Sequence, residues 1–430
     1  MSIRSPVFFR GATHAMNENE LIPHLFRTEY RKLIAVIGKL FGMEHIETAE
    51  DLVSDTFLQA AETWGLKGLP PNPTAWLYTV SKNKALDFLK HQAVFSNKVA
   101  PGIKHSASRT EEIDVDMSTQ NINDSQLQMM FAVCHPCIPV ESQIGLSLNI
   151  LCGFGAEEIA DAFLSNKETI YKRLTRAKEK LRTEKVAVEL PPAAEIGKRL
   201  DAVLTTLYLL FSEGYYSGSQ NIPLRKDFCL EAMRLNLLLT EHPQTNTPLA
   251  NALLSLMCFH SSRFEARTDQ KGDVILYEEQ NEELWNRELI ARGEEYLNRA
   301  SQGNTVSKYH LEAAIAYWHT HKSDTAEKWE NILQLYNRLL QLNYSTIAAL
   351  NRTYALAKAR GNEMAIAEAE KLELTDNHLY HSLLANLYSG TSREQALLHL
   401  EQALALAKTA ADKNLIAKQI EKLSSTGSKG

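Results

Sequence analysis

The chain is short of the residues that break helices. Its 430 residues include 19 glycines and 13 prolines, together about 7% where roughly 12% is usual. No proline follows Pro248, so the last 182 residues contain none. That scarcity excludes a collagen and points to an all-α chain. Cysteine is also sparse: five residues, an odd number without regular spacing. This excludes a small disulfide scaffold and suits a reducing cytoplasm. Long apolar runs are missing too. The best, Leu33 to Met43, is short and carries Lys39, against the roughly 18 residues that a membrane span needs. Nor is there an excess of base: 46 Lys and Arg face 52 Asp and Glu, a net charge of −6. A wholly basic nucleic-acid binder is excluded, whereas a local basic patch is not. What is present is 44% hydrophobic and 23% charged residues. A chain of that make-up and length has ample core for two or three domains and is no disordered tail.

Residues 1–18 read as a disordered leader. MSIRSPVFFRGATHA has no acid, and its apolar run Val7 to Phe9 is too short for a targeting peptide. Met16 is an alternative start. From Glu20 to His91 the pattern reads as four helices. In ETAEDLVSDTFLQAAETW, Ala49, Leu52, Val53, Phe57, Ala60 and Trp64 form one apolar face at 3- and 4-residue spacing. Glu47, Asp51, Asp55 and Gln59 recur every four residues on the opposite side. GLKGLPPNP then forces a loop, and Pro73 suits the first turn of the helix TAWLYTVSKNKALDFLKHQ. Residues 93–124 are polar and read as a flexible linker.

Helices return in residues 125–189. GAEEIADAFLSNKETIYKRLTRAKEKLR has helix–break–helix form. Ala160 is small where two helices of a helix-turn-helix meet, and Ile170 can anchor the second helix on the first. From Lys167 to Lys185, eight Lys or Arg stand against three Glu, a local surplus of base in an acidic protein. Such a helix is either a DNA reader or a solvated face. Leu164 stands where helix-turn-helix proteins often place glycine, so the turn is expected to differ in geometry. Pro191-Pro192 marks the next boundary, and residues 190–430 read as stacked helices. Two late segments, ALNRTYALAKARGNEMAIAEAEKL and HSLLANLYSGTSREQALLHLEQALALA, each look like a helical hairpin with small Ala at the approach of its helices.

Taken together, these blocks resemble bacterial sigma factors of the extracytoplasmic-function (ECF, sigma-70) family. AEDLVSDTFLQA (49–60) is similar to region 2.2, PTAWLYTVSKNKALDFLK (73–90) to regions 2.3 and 2.4, and EEIADAFLSNKETIYKRLTRAKEKL (157–181) to region 4.2. CHPCIP (134–139), FSEGYYSGS (211–219), LRKDFCLEAMRLNLLL (224–239) and ALNRTYALAKARG (349–361) resemble the subgroup with a C-terminal tetratricopeptide-like extension. The resemblance spans nearly all the chain after residue 19. It implies that Glu47, Asp51, Asp55 and Gln59 dock on the β′ clamp helices of core RNA polymerase, with the β flap as a second contact. A carboxylate row on a rigid helix suits a basic partner.

The resemblance further implies that residues 19–92 open and read the −10 element, through Trp76, Thr79, Lys82, Asn83, Lys84 and Lys90. Asp87 shares that polar face, and the loop from Gly65 to Pro73 beside Trp64 would capture a flipped base. Trp76 also reads as core. In the second block, Lys167, Glu168, Thr169, Lys172, Arg173 and Arg176 would read the −35 element in the major groove, Arg173 foremost. The extension would modulate the factor, either by covering these regions or by binding a signalling protein; whether it inhibits or is required stays open. Two other classes share parts of the pattern: a non-sigma DNA-binding regulator with a helical sensor, and a helical scaffold.

No metal is expected at Cys134, His135 and Cys137, because a second ligand pair at finger spacing is lacking. No enzyme chemistry is expected at Glu213, which has no partner base, nucleophile or phosphate loop. Gly214 reads there as a helix-ending turn. No cofactor and no membrane partner are expected.

Overall fold

The computed structural model describes residues 18–99, 115–163, 165–216, 225–269 and 275–425. The architecture is all-α: eighteen α-helices and no strand occur among the described residues. Two compact units share the chain, residues 1–207 and 208–430. The expected leader 1–18 and Met16 lie outside the described residues except for residue 18, which opens the first helix.

In the first unit, α1 (Glu18–Phe41) is one helix, so residues 20–91 form three α-helices and not the four expected. Pro23 sits early in α1, where few backbone bonds are lost. Gly42, at φ 76°, ends α1 and starts a single 3₁₀ turn, Met43–His45. The second helix, α2 (Ile46–Lys67), buries Ala49, Val53, Thr56, Phe57, Ala60 and Trp64. Gly68, at φ 80°, stops it, its N–H donating to the Trp64 carbonyl. Next, α3 (Pro73–Val99) begins at Pro73, and the Asn72 side chain accepts the Ala75 N–H at 3.0 Å. Tyr78 of α3 donates to the buried Glu29 carboxylate of α1 at 2.6 Å, and Lys32 holds the same carboxylate at 2.9 Å. Burial, then the hydrogen bond to Glu29, push the Tyr78 phenol pKa up.

The expected linker 93–124 is shorter than its composition suggests. α3 continues to Val99, and α4 (Thr119–Val133) starts behind an Ser118 cap whose hydroxyl accepts the Asn121 N–H. Val115 and Ile122 are buried against Val36 of α1. Polar composition hides these two apolar contacts. Residues 100–114 lie outside the described residues. Gly38 allows the close approach of α4 to α1: a Cβ there would stand 2.7 Å from Met129 Cε.

After the C-H-P-C turn, α5 (Val140–Leu146) runs into a five-residue π turn, Ser147–Leu151. Then come α6 (Ala156–Ala162) and α7 (Lys167–Thr183). α8 (Ile196–Tyr216) contains the boundary between the units, which therefore falls at Leu207 and not at Pro191. Arg199 donates to the Phe131 carbonyl at 2.6 Å and Thr206 to the buried Gln143 at 2.9 Å, which ties the start of α8 to the first unit.

In the second unit, α9 (Lys226–Glu241), α10 (Pro248–Ser261), α11 (Arg287–Ala300) and α12 (Lys308–Trp318) are followed by α13 (Ala326–Leu342) and α14 (Thr346–Arg360), which pack as a pair. The remaining helices are α15 (Asn362–Glu370), α16 (His378–Tyr388), α17 (Arg393–Leu406) and α18 (Ala410–Ser425). The segment read as a hairpin at 349–372 is α14 and α15 joined at Gly361, φ 99°; the other is α16 against α17. Ala355, Ala365, Ala369, Ala396 and Ala403 are buried where these helices meet. Gly214 does not end a helix. It lies inside α8, and a Cβ there would stand 2.8 Å from the Arg225 carbonyl and 2.9 Å from Cys229 Sγ. Its glycine is required by close approach of the chain before α9. Residues 217–224 of the motifs quoted there lie outside the described residues.

Candidate nucleic-acid interface

The apolar face of α2 turns Asp51, Asp55 and Gln59 outward, all exposed. The stripe is not a free row of carboxylates, however. Lys84 of α3 pairs with Asp55. Glu47 accepts from Arg182 Nη2 of α7 at 2.5 Å. Glu50, next to Asp51 on α2, receives Lys178 Nζ at 2.7 and 2.6 Å, with both side chains largely enclosed. Burial pushes the Glu50 carboxyl pKa up, against the pull of Lys178. Leu58 stands 58% exposed between Asp55 and Gln59, so the stripe has an apolar step within it. Its place one turn from Asp55 was readable from helical spacing.

On α3, Thr79, Asn83 and Lys90 are exposed, and Lys82 and Lys84 are half-buried. The Thr79 hydroxyl donates to the Ala75 carbonyl at 2.8 Å. Trp76 is half-buried and meets the buried Trp64 edge to face at 5.4 Å, which gives its ring a packing role beside the loop that follows α2. Trp64 itself is only 6% exposed, so it backs that loop and does not present a face to solvent. Asp87 is exposed on the same helix.

Two short helices form the second candidate surface. Ile159, Ala160 and Ile170 are buried where α6 meets α7, and the Ser165 N–H donates to the Ala160 carbonyl. Asn166 caps α7 by accepting the Thr169 N–H at 2.7 Å. Leu164 in the turn lies outside the described residues. Ile170, Leu174, Ala177 and Leu181 make the inner face of α7. The opposite face leaves Lys167, Glu168, Thr169, Lys172 and Arg176 exposed and Arg173 half-buried. Lys167 pairs with Glu157 at 3.0 Å and Lys172 with Glu168 at 2.6 Å, both at the surface and worth little against solvent. Tyr171 is 65% exposed one turn from Lys167, on the same face; it escaped the charge count because it is uncharged. The cations along α7 therefore differ in what they meet. Lys178 and Arg182, one turn apart, face α2, while those nearer the start of α7 face solvent.

The C-H-P-C turn is a folding element. Cys134 is fully buried with its Sγ 3.7 Å from the Ser147 hydroxyl, and burial pushes its thiol pKa up to about 11. His135 Nδ1 accepts the Cys137 N–H at 3.1 Å. Among the described residues no three His, Cys, Asp or Glu side chains gather as a metal cage. No helix among them is long and apolar enough to cross a membrane.

The description of Sigma-70 region 2 matches residues 25–94, which are α1, α2 and most of α3. A second match, "Family of unknown function (DUF6596)", covers residues 199–301. "Uncharacterized protein R00370" of Rhizobium meliloti (strain 1021) is 31% identical over 389 residues, covering 88% of this chain and 90% of that protein. No solved structure matches the chain. The helices carrying the carboxylate stripe and the polar face of α3 thus lie within the residues matched by Sigma-70 region 2. The chain belongs to one family with the Rhizobium meliloti protein over nearly its whole length, and within it residues 25–94 match Sigma-70 region 2.

Proposed function

We propose that this protein is an ECF-type sigma factor: it binds core RNA polymerase, reads −10 and −35 promoter elements and directs transcription initiation, and its C-terminal, tetratricopeptide-like unit modulates that activity. The observation that carries the reading is the coincidence of the Sigma-70 region 2 match with α1 to α3. In this reading, Asp51, Asp55, Gln59 and Glu47 meet the β′ clamp helices. Leu58 supplies an apolar anchor inside the charged row, the arrangement in which rim charges set orientation and a central side chain supplies affinity.

The −10 strand is then read along α3. Thr79, Asn83 and Lys90 offer hydrogen bonds and charge, while Lys82 and Lys84 approach phosphates as their neighbours yield. Of the expected loop Gly65 to Pro73, residues 65–67 belong to α2 and Pro73 to α3, so residues 68–72 form the loop in which an unstacked base is held, with Trp64 and Trp76 behind it. Region 4 is residues 125–189, with α6 and α7 as its helix-turn-helix. The start of α7 enters the major groove, where Arg173 and Lys172 have the reach for guanine edges and Lys167 and Arg176 for phosphates. Chemistry of bond making stays with the polymerase; the factor supplies recognition and melting.

Binding of bacterial core RNA polymerase tests the docking. Asp51→Arg together with Gln59→Arg is expected to weaken it at least tenfold, and an unchanged affinity refutes the assignment of the stripe. Modulation is tested with a chain ended after Tyr216, because an end near Glu189 would remove Arg199 and Thr206 from the first unit. Equal initiation by the shortened and full chains, with and without cell extract, refutes it.

A further inference from the structure

Around the turn that follows α10, the second unit gathers cations that no carboxylate answers. Arg267 lays its guanidinium on the Tyr215 ring, with Cζ 3.8 Å from the centroid. Four residues earlier, Arg263 places Nη2 3.5 Å from the Tyr215 hydroxyl and Cζ 5.3 Å from the Tyr277 ring. Lys328 of α13 is 2% exposed and donates to the Tyr277 hydroxyl at 3.2 Å and to the His321 carbonyl. Two tyrosines thus string three cations together. None of the three forms an ion pair among the described residues, and the acids at hand are taken. Glu265, between the arginines in sequence, pairs with Lys226 at 2.5 Å, and Asp324 pairs with Lys358 at 2.8 Å.

Two donors of this cluster are also buried without an acceptor. One is Arg267 Nη1; the other is Nε1 of Trp285, which is 3% exposed and stacks on Tyr277 at 6.2 Å. The positive field reaches two imidazoles as well. Burial, then Arg263 and Arg267, lower the His260 pKa well below its ordinary value. Burial, then Arg263 and Lys328, lower that of His319 to about 3. Unanswered buried cations cost stability, and perturbed groups concentrate where a ligand supplies the missing charge.

Charge and shape specify that ligand. Guanidinium groups fixed on aromatic rings present planar N–H donors that match the oxygens of a phosphate or a carboxylate. Three cations favour a dianion over a monoanion, and a phosphate monoester is mostly a dianion at neutral pH. Arg263 and Arg267 are half-buried, so a ligand reaches them from solvent. A polyanion is disfavoured. Glu265, Glu278, Glu279 and Glu283 are exposed beside these residues in sequence and repel a duplex, which carries a charge about every 1.7 Å. A small molecule with a single phosphate leaves those carboxylates in water.

We propose that Arg263, Arg267 and Lys328 form a binding site for a small phosphate monoester, which makes the second unit a receptor for a phosphorylated small molecule. The site lies within the second unit, and its occupancy does not depend on the sigma-factor reading. Joined to that reading, the ligand is the signal through which the unit modulates initiation.

The test titrates the full chain by calorimetry, at constant ionic strength, with phenyl phosphate, inorganic phosphate, benzoate and a single-stranded DNA oligonucleotide. Phenyl phosphate should bind at a single site, about tenfold more tightly than benzoate. Arg263→Met and Arg267→Met should each weaken it by about tenfold or more, and Arg267→Lys, which keeps the charge and loses the planar fork, should weaken it less. Arg299→Met, on the exposed side of α11, should leave it unchanged. Without ligand, Arg267→Met should melt no lower than wild type, because it removes an unanswered cation and an unpaired donor. If that chain does not fold, Arg267→Lys carries the comparison. No binding of either phosphate overturns the proposal, as does binding that Arg263→Met and the Arg267 variants all retain in full. Benzoate binding as tightly as phenyl phosphate overturns the dianion class, and displacement of phenyl phosphate by the oligonucleotide overturns the small-molecule class.

Discussion

The buried carboxyl of Glu312 gives the second unit a pH dependence that can be worked out and measured. Glu312 on α12 accepts a hydrogen bond from the Tyr208 hydroxyl at 3.3 Å, and burial outweighs nearby Lys308 to push its pKa up to about 7 from 4.5. A carboxyl whose folded pKa is raised holds its proton longer in the folded state than in the unfolded chain. Stability is therefore full below pH 4.5 and falls as pH rises through 7. Two and a half pH units at 1.36 kcal/mol each give about 3.4 kcal/mol; the side chain keeps some solvent contact, which lowers this to about 2–3 kcal/mol.

Glu312→Gln keeps an acceptor for Tyr208 and removes the charge. Relative to wild type it should be neutral or slightly destabilising at pH 5 and stabilising by about 2–3 kcal/mol at pH 8. For a unit of this size that is a rise in melting temperature of roughly 4–12 °C. His319 works in the opposite sense. Its burial lowers its pKa to about 3, so its contribution is lost as pH falls below 6.5. It is common to both chains and cancels in the difference. Calorimetry of both chains from pH 5 to 8 checks this, and a difference in melting temperature independent of pH refutes the buried-charge argument.

Other perturbations have equally definite outcomes. Arg176→Ala, on the exposed face of α7, should weaken promoter duplex binding similarly for all sequences and reduce the slope of log K against log salt by about 1, as titration at several ionic strengths would read. Asn166→Ala removes the cap of α7 and should cost about 1 kcal/mol in urea unfolding of the first unit. Trp64→Ala, in the core behind the loop 68–72, should cost about 3–5 kcal/mol by the same assay, since the residue is buried. Gly214→Ala should destabilise the second unit despite the better helix propensity of alanine, because its Cβ meets the Arg225 carbonyl; a gain in melting temperature would contradict that packing.

Local features of the fold were legible where one residue decides locally. Pro73 fixes the start of α3, Gly361 the turn between α14 and α15, and the 3- and 4-residue spacing of Ala49 to Trp64 the inner face of α2. Long-range pairing was not legible. Lys178 and Glu50 are 128 residues apart, and Arg182 and Glu47 are 135 apart. On sequence alone each looks like an exposed charge of an amphipathic helix. A charge count over Lys167 to Lys185 cannot divide the cations that face solvent from those that face α2, because that division depends on what packs there. Gly214 misled for a related reason: glycine marks a turn or a close approach, and only the neighbouring chain tells which. The polar segment 93–124 hid Val115 and Ile122, two apolar residues whose burial needs α1 as partner.

Run-off transcription with bacterial core RNA polymerase on a fragmented genomic library, with and without the full chain, tests the central claim most directly. The account predicts discrete new start sites that share paired upstream elements near −10 and −35. Duplex DNA binding by the chain without any new start site, from the full chain and from the chain ended after Tyr216 alike, would contradict it.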